Sequence, residues 1–132
     1  MLSIGALHLY WGVGGRCPGH DDASLVSIVA GAKSGRMYGF AACAAVALAL
    51  ASAAAVVGAR HSAIMSSGFA WVIAAGYVVL IAVFALRGLA PYVTPVFEYA
   101  RGTPFFELNR LYYAPLCLSI AAGLAINFPG RP

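Results

Sequence analysis

The stretch "RCPGHDD", Arg16 to Asp22, sets a cysteine, a histidine and two aspartates within six positions. Cys17 and His20 have C-x2-H spacing, and Asp21 or Asp22 could add oxygen, a donor set that zinc accepts. A closed site needs four ligands, and no second Cys/His cluster exists. His8 lies upstream in an apolar run, and His61 falls at the other end of the predicted molecule. The alternative is a Pro-Gly turn followed by an aspartate that caps a helix, with Asp22 opening "ASLVSIVAGA". That explains the same residues without an ion, so no metal site is expected.

His8 is the second candidate. Gly5, His8, Gly12 and Gly15 are spaced three, four and three, which puts them on one helix face. A glycine stripe faces a neighbouring helix, so His8 is expected to point into a pocket between helices. It would serve there as a packing hydrogen bond or as an acid/base. The third group is Arg16, Arg87, Arg101 and Arg110 with Trp11, Tyr112 and Tyr113. Clustered guanidinium groups grip phosphate or carboxylate in fork geometry. The same residues would equally anchor a protein to anionic headgroups, pair with Glu98 or Glu107, and form an aromatic belt. His8, Trp11, Arg16, Arg87, Arg101, Arg110, Tyr112 and Tyr113 are therefore the candidate ligand-binding residues.

The elements that must position them are apolar to an unusual degree. Of 132 residues, 62% are hydrophobic and 9% charged. Soluble domains carry about 25% charged residues, and so small a fold could not cover this much apolar surface. Gly39 to Ala59, Ser62 to Leu86 and Leu111 to Phe128 are uncharged runs. Each is long enough for a membrane-spanning helix of roughly 20 residues. "MLSIGALHLYWGVGG" is apolar but shorter. It is read as a fourth, short helix whose native start lies upstream or around which the bilayer thins.

The expected fold is an all-α polytopic transmembrane four-helix bundle, one integral membrane domain over 1–132. Its helices cover about 1–15, 39–59, 62–86 and 111–128, and a semi-apolar interfacial loop joins the third to the fourth. In that loop Pro91, Pro95 and Pro104 are expected to interrupt any long helix. Gly35, Gly39, Cys43, Ala47 and Ala51 form a small-residue stripe that makes the second helix central. Asn109 is expected to cap the last helix, with Pro115 near the end of its first turn.

Alternation puts the first and third loops at one end, the front. The front holds Arg16, Lys33, Arg36, Arg87, Arg101 and Arg110, against Arg60 and Arg131 at the back. The positive-inside rule then places the front in the cytoplasm. No spanning run contains Asp, Glu, Lys or Arg, which argues against a proton- or ion-coupled transporter. The dispersed charge of +4 argues against nucleic acid. Haem is disfavoured by the lack of a second intramembrane histidine, and no other cofactor is indicated.

"HLYWGVGGR", "FALRG" and "RGTPFFELNRLYYAPLCL" resemble a family of small bacterial integral membrane proteins catalogued as domain of unknown function 3995. The likeness runs from about Leu7 to Leu124. Asn109 stands where the family pattern usually carries an acidic residue, and members tend to have a longer first helix. The resemblance implies a four-helix inner-membrane protein and brings no established activity.

Two functions fit these residues. One is non-enzymatic: binding a lipophilic molecule, or supporting a membrane complex as an accessory subunit. The expected partners are then the lipid bilayer and a membrane protein or a second copy of the chain. The other is an enzyme acting on a lipid-like or quinone-like substrate, with His8 as acid/base and the front arginines holding an anionic group.

Overall fold

The computed structural model of the protein describes residues 1–33, 35–60, 68, 70–93 and 95–129. Among them the structure is all-helical, with no strand. The elements are α1 (Leu2–Gly12), α2 (Asp22–Val29), α3 (Phe40–Ala59), α4 (Ala70–Val93), a 3-10 helix (Pro95–Ala100), α5 (Pro104–Leu108), a π-helical turn (Asn109–Tyr113) and α6 (Ala114–Ile126). The expected turn around His61, the first residues of the predicted third helix and Arg131 lie outside the described residues.

Two antiparallel pairings are extensive: α1 with α3, and α4 with α6. Small residues set the first. A Cβ on Gly5 would lie 3.5 Å from the Ala47 carbonyl, and one on Gly12 would lie 3.0 Å from the Cys43 Cβ. Cys43 and Ala47 are buried, whereas Gly35, Gly39 and Ala51 are exposed, so only the middle of the expected stripe makes the seam. α3 lies between α1 and α4. It meets α4 around Val56, Val57 and Tyr77, where the Tyr77 hydroxyl donates to the Val57 carbonyl at 3.4 Å. Side chains fill the second pairing: Ile73, Tyr77 and Leu124 form a core flanked by Phe84, Ile120 and Phe128.

Two helix boundaries differ from expectation for a physical reason. α4 does not stop at Leu86; it continues through Arg87 and Pro91 to Val93. Pro91 cannot supply an N–H to the carbonyl of Arg87, and the helix ends two residues later at Val93. The last helix does not begin at Leu111. α5, the π turn and α6 run consecutively from Pro104, so Asn109 is interior and caps nothing. Pro104 occupies the first turn instead. Pro115 then falls inside the helical run. Its ring crowds the turn before it, and the wide π turn lies there.

Among the described residues, α3 and α4 are the two helices long and apolar enough to cross a membrane. Their apolar side chains face outward. Leu48 is 68% exposed and Trp71 and Leu86 are each 69% exposed, and only 17% of each helix's most apolar window is buried.

Candidate functional site

The two front loops lie together. The Tyr99 hydroxyl donates to the Ala30 carbonyl at 3.0 Å. Gly31, at φ +74, presses against Ala100 and Phe105. Gly31 therefore permits both the left-handed backbone and the approach. A shared front end for the first and third loops is what alternation leads one to expect.

The site residues nonetheless fall into two groups. His8, Trp11 and Arg16 belong to the α1–α3 side. The Nδ1–H of His8 donates to the Ile4 carbonyl one turn back, at 2.8 Å, and its ring meets Trp11 edge-on at 5.1 Å. A carbonyl can only accept, so Nδ1 carries the proton of that bond. Trp11 packs with Leu25 and Cys43, and its indole N–H donates to the Cys17 carbonyl at 2.8 Å.

"RCPGHDD" folds as a turn and a cap. The residue that caps is Asp21, one position earlier than expected. Its carboxylate accepts from the Ser24 N–H at 2.7 Å, and the Ser24 hydroxyl accepts from the Asp21 N–H at 3.0 Å, a reciprocal capping box. The Ser24 backbone N–H, followed by its hydroxyl, holds the Asp21 carboxyl below its usual range. Arg16 pairs with Asp22 at 2.8 Å in the open. Among the described residues no three His, Cys, Asp or Glu side chains come together as a metal would need.

The second group surrounds an open groove of about 580 Å³ between the end of α4, the 3-10 helix and α5. Tyr92, Phe97, Glu98, Arg101, Phe106, Glu107 and Arg110 line it. Arg101 pairs with Glu98 at 2.8 Å and lies over Phe106. Arg110 lies over the Tyr92 ring, and the Tyr92 hydroxyl donates to the Arg110 carbonyl. Tyr113 is half-buried against Phe105, while Tyr112 points outward.

Arg87 stands apart from the other arginines. It lies within α4, which corrects the expectation that no charge falls inside a long apolar helix. One guanidinium nitrogen, Nη2, donates to the Oδ1 of Asn109 at 2.8 Å. The Phe97 ring covers the group at 4.9 Å. Asn109 is 1% exposed. The second guanidinium nitrogen of Arg87 and the amide nitrogen of Asn109 are both buried without a hydrogen-bond partner.

Asn109 is the residue that sequence reasoning assigned wrongly. Its partner is 22 positions away, and no local spacing signals that. The groove that Arg101 and Arg110 line does not include His8 in its lining. The nearest neighbours of a Cβ at Gly12 are Cys43 and Phe40, so the glycine face of α1 is taken up by α3.

A family model described as "Protein of unknown function (DUF3995)" matches residues 1–124. No curated protein and no solved structure gives a match.

Proposed function

The chain belongs to the DUF3995 family of proteins of unknown function, and we propose from its own geometry that it is a non-enzymatic integral membrane protein binding an amphiphile at the front groove. The observation that carries this is the inverted placement of apolar side chains on α3 and α4. Helices inside a soluble core hide such residues; these display them. Water penalises exposed apolar surface by about 25 cal/mol per Å², and a hydrocarbon surround removes that penalty.

In this reading four helical segments enter the bilayer. The helical run from Pro104 to Ile126 would extend roughly 34 Å at 1.5 Å per residue, close to the ~30 Å hydrocarbon thickness. α1, at about 16 Å by the same rise, is a short segment held against α3, with the bilayer thinned around it. The front lies at the cytoplasmic face of a bacterial inner membrane, in line with its six cationic residues. The groove there combines aromatic walls with Arg101, Arg110, Glu98 and Glu107. Those groups suit a polar headgroup whose apolar part continues into lipid.

Catalysis has less support. His8 uses Nδ1 on its own helix, and Arg101 and Arg110 line a different part of the front.

Membrane fractionation tests the first half of this proposal. The protein should resist alkaline carbonate and be released by detergent. Reporter fusions at Lys33 and Gly102 should read the same compartment, and a fusion at the carboxyl end the opposite one. Release by carbonate, or disagreement between Lys33 and Gly102, rejects the topology. Mass spectrometry of gently purified protein tests the second half: a retained amphiphile is expected. A stoichiometric protein partner in its place would make the chain an accessory subunit.

A further inference from the structure

We propose that Arg87 and Asn109 together bind an anionic oxygen group, a carboxylate or phosphate, on the amphiphile. This rests on the reading just given and names the chemistry of its ligand. The argument starts from the charges. The chain has four acidic side chains, and all are described. Asp22 pairs with Arg16, Glu98 pairs with Arg101, Asp21 caps α2, and Glu107 stands exposed on the groove. None forms an ion pair with Arg87. A half-buried guanidinium is thus left with a neutral amide as its side-chain partner.

The unsatisfied atoms are all donors. Nη1 of Arg87 and Nδ2 of Asn109 are buried and bond to nothing, and the Nη2–Oδ1 bond joins their two side chains. Turning the Asn109 amide over does not help. It would aim an NH2 group at the guanidinium, donor against donor. Buried donors without acceptors are strongly disfavoured, and a buried cation more so. One ligand removes both deficits: a group with two or more oxygens and a negative charge, which accepts from both residues at once.

The surroundings fit delivery of such a group. Phe97 lines the groove and lies on the Arg87 guanidinium, so the pair sits directly behind the groove wall. Asn109 projects from the π turn, a geometry frequent at functional positions. Arg87 is six residues from the end of α4, about 9 Å in at the helical rise, a depth where headgroup meets acyl chain.

The test uses full-length protein in an uncharged detergent. Thermal unfolding and binding are followed with dioleoyl phosphatidylglycerol, with dioleoylglycerol as its uncharged counterpart, and with inorganic phosphate. The anionic lipid should raise the melting temperature where dioleoylglycerol does not. Asn109→Asp supplies the anion internally. It should raise the melting temperature without ligand and weaken the anionic lipid roughly ten- to hundredfold, the worth of charge-assisted hydrogen bonds. Arg87→Gln should abolish the lipid's effect, and Arg36→Gln should keep it. If Arg87→Gln fails to fold, Asn109→Asp decides alone. A rise with inorganic phosphate equal to that with lipid supports the same anion site with a soluble source. Equal responses to charged and uncharged lipid, equal responses of parent and Asn109→Asp, or no response to any probe overturn the proposal. Carbonate extraction is scored separately, so the site can fail while the membrane reading stands.

Discussion

The α1–α3 side and the α4–α6 side handle their polar groups in opposite ways. On the first, each donor just described closes on a nearby acceptor: His8 on Ile4, Trp11 on Cys17, Arg16 on Asp22, Ser24 on Asp21. The closing partners are within six residues. On the second, Arg87 reaches across to Asn109 on another helix, and two buried donors remain open. The lesson is that density of ligand-type residues is a poor guide. "RCPGHDD" folds as a turn and a capping box, while an arginine and an asparagine far apart in sequence hold two buried, unpartnered donors.

The sharpest way to break this contrast is to uncouple the two sides at the front. Gly31→Val places a side chain where φ is +74 and where a Cβ would lie 2.5 Å from that of Ala100. Left-handed strain of about 1–2 kcal/mol and overpacking of about 1–3 kcal/mol add to a loss of about 3 kcal/mol. Chemical denaturation in detergent should register it, together with loss of a cross-link between positions 30 and 99. An unchanged midpoint would show that the loops touch without coupling.

A smaller effect separates the two seams. Gly88→Val meets Leu118 at 2.7 Å and the Ala114 carbonyl at 3.0 Å. Leu118 can swing away but the backbone oxygen cannot, so about 2 kcal/mol should be lost. Gly5→Ala meets only ordinary contacts at 3.5 Å and beyond. It should be neutral, or stabilising by up to about 1 kcal/mol through helix propensity. Equal penalties at the two positions would erase the distinction between the tight contact at Gly88 and the looser one at Gly5.

The smallest effect is local to α2. The folded Asp21 carboxyl titrates below its ordinary value of 3.8 because it accepts from Ser24. A depressed acid contributes its stabilisation fully above the unfolded value and loses it as pH falls through the folded one. Amide protection at Ser24 and Leu25, corrected for intrinsic exchange, should hold from pH 7 to 5 and fall below pH 4. Asp21→Ala should fray the helix start at every pH and remove that dependence.

The second helix was legible almost to the residue, because Gly39 to Ala59 is uncharged from end to end and α3 covers Phe40–Ala59. The contact face of α1 was legible too, since glycines at helical spacing can only mean close approach. Its partner was not: the same stripe would suit any helix, and α3 rather than the last helix occupies it. Arg87, Pro91 and Pro104 were read as punctuation by residue type. In the structure a cross-helix amide and an aromatic face accommodate Arg87. Pro91 falls near the last turn of α4 and Pro104 in the first turn of α5. Those outcomes depend on tertiary neighbours, which periodicity cannot convey. The same neighbours turned Asn109 from an expected cap into the centre of the candidate site.

The pairing of α1 with α3 and of α4 with α6 has a consequence for biosynthesis. Each pair joins segments within one half of the chain, so the order of synthesis matches the order of packing. Residues 1–60 hold a complete helix-on-helix seam before α4 is translated, so the amino-terminal half can settle as a finished unit. The later half closes its own seam and then docks at both ends, through Gly31 at the front and the Arg60–Asn127 bond at the back. Two separately encoded halves, divided between residues 60 and 68 and produced in one cell, should accordingly assemble into the native protein.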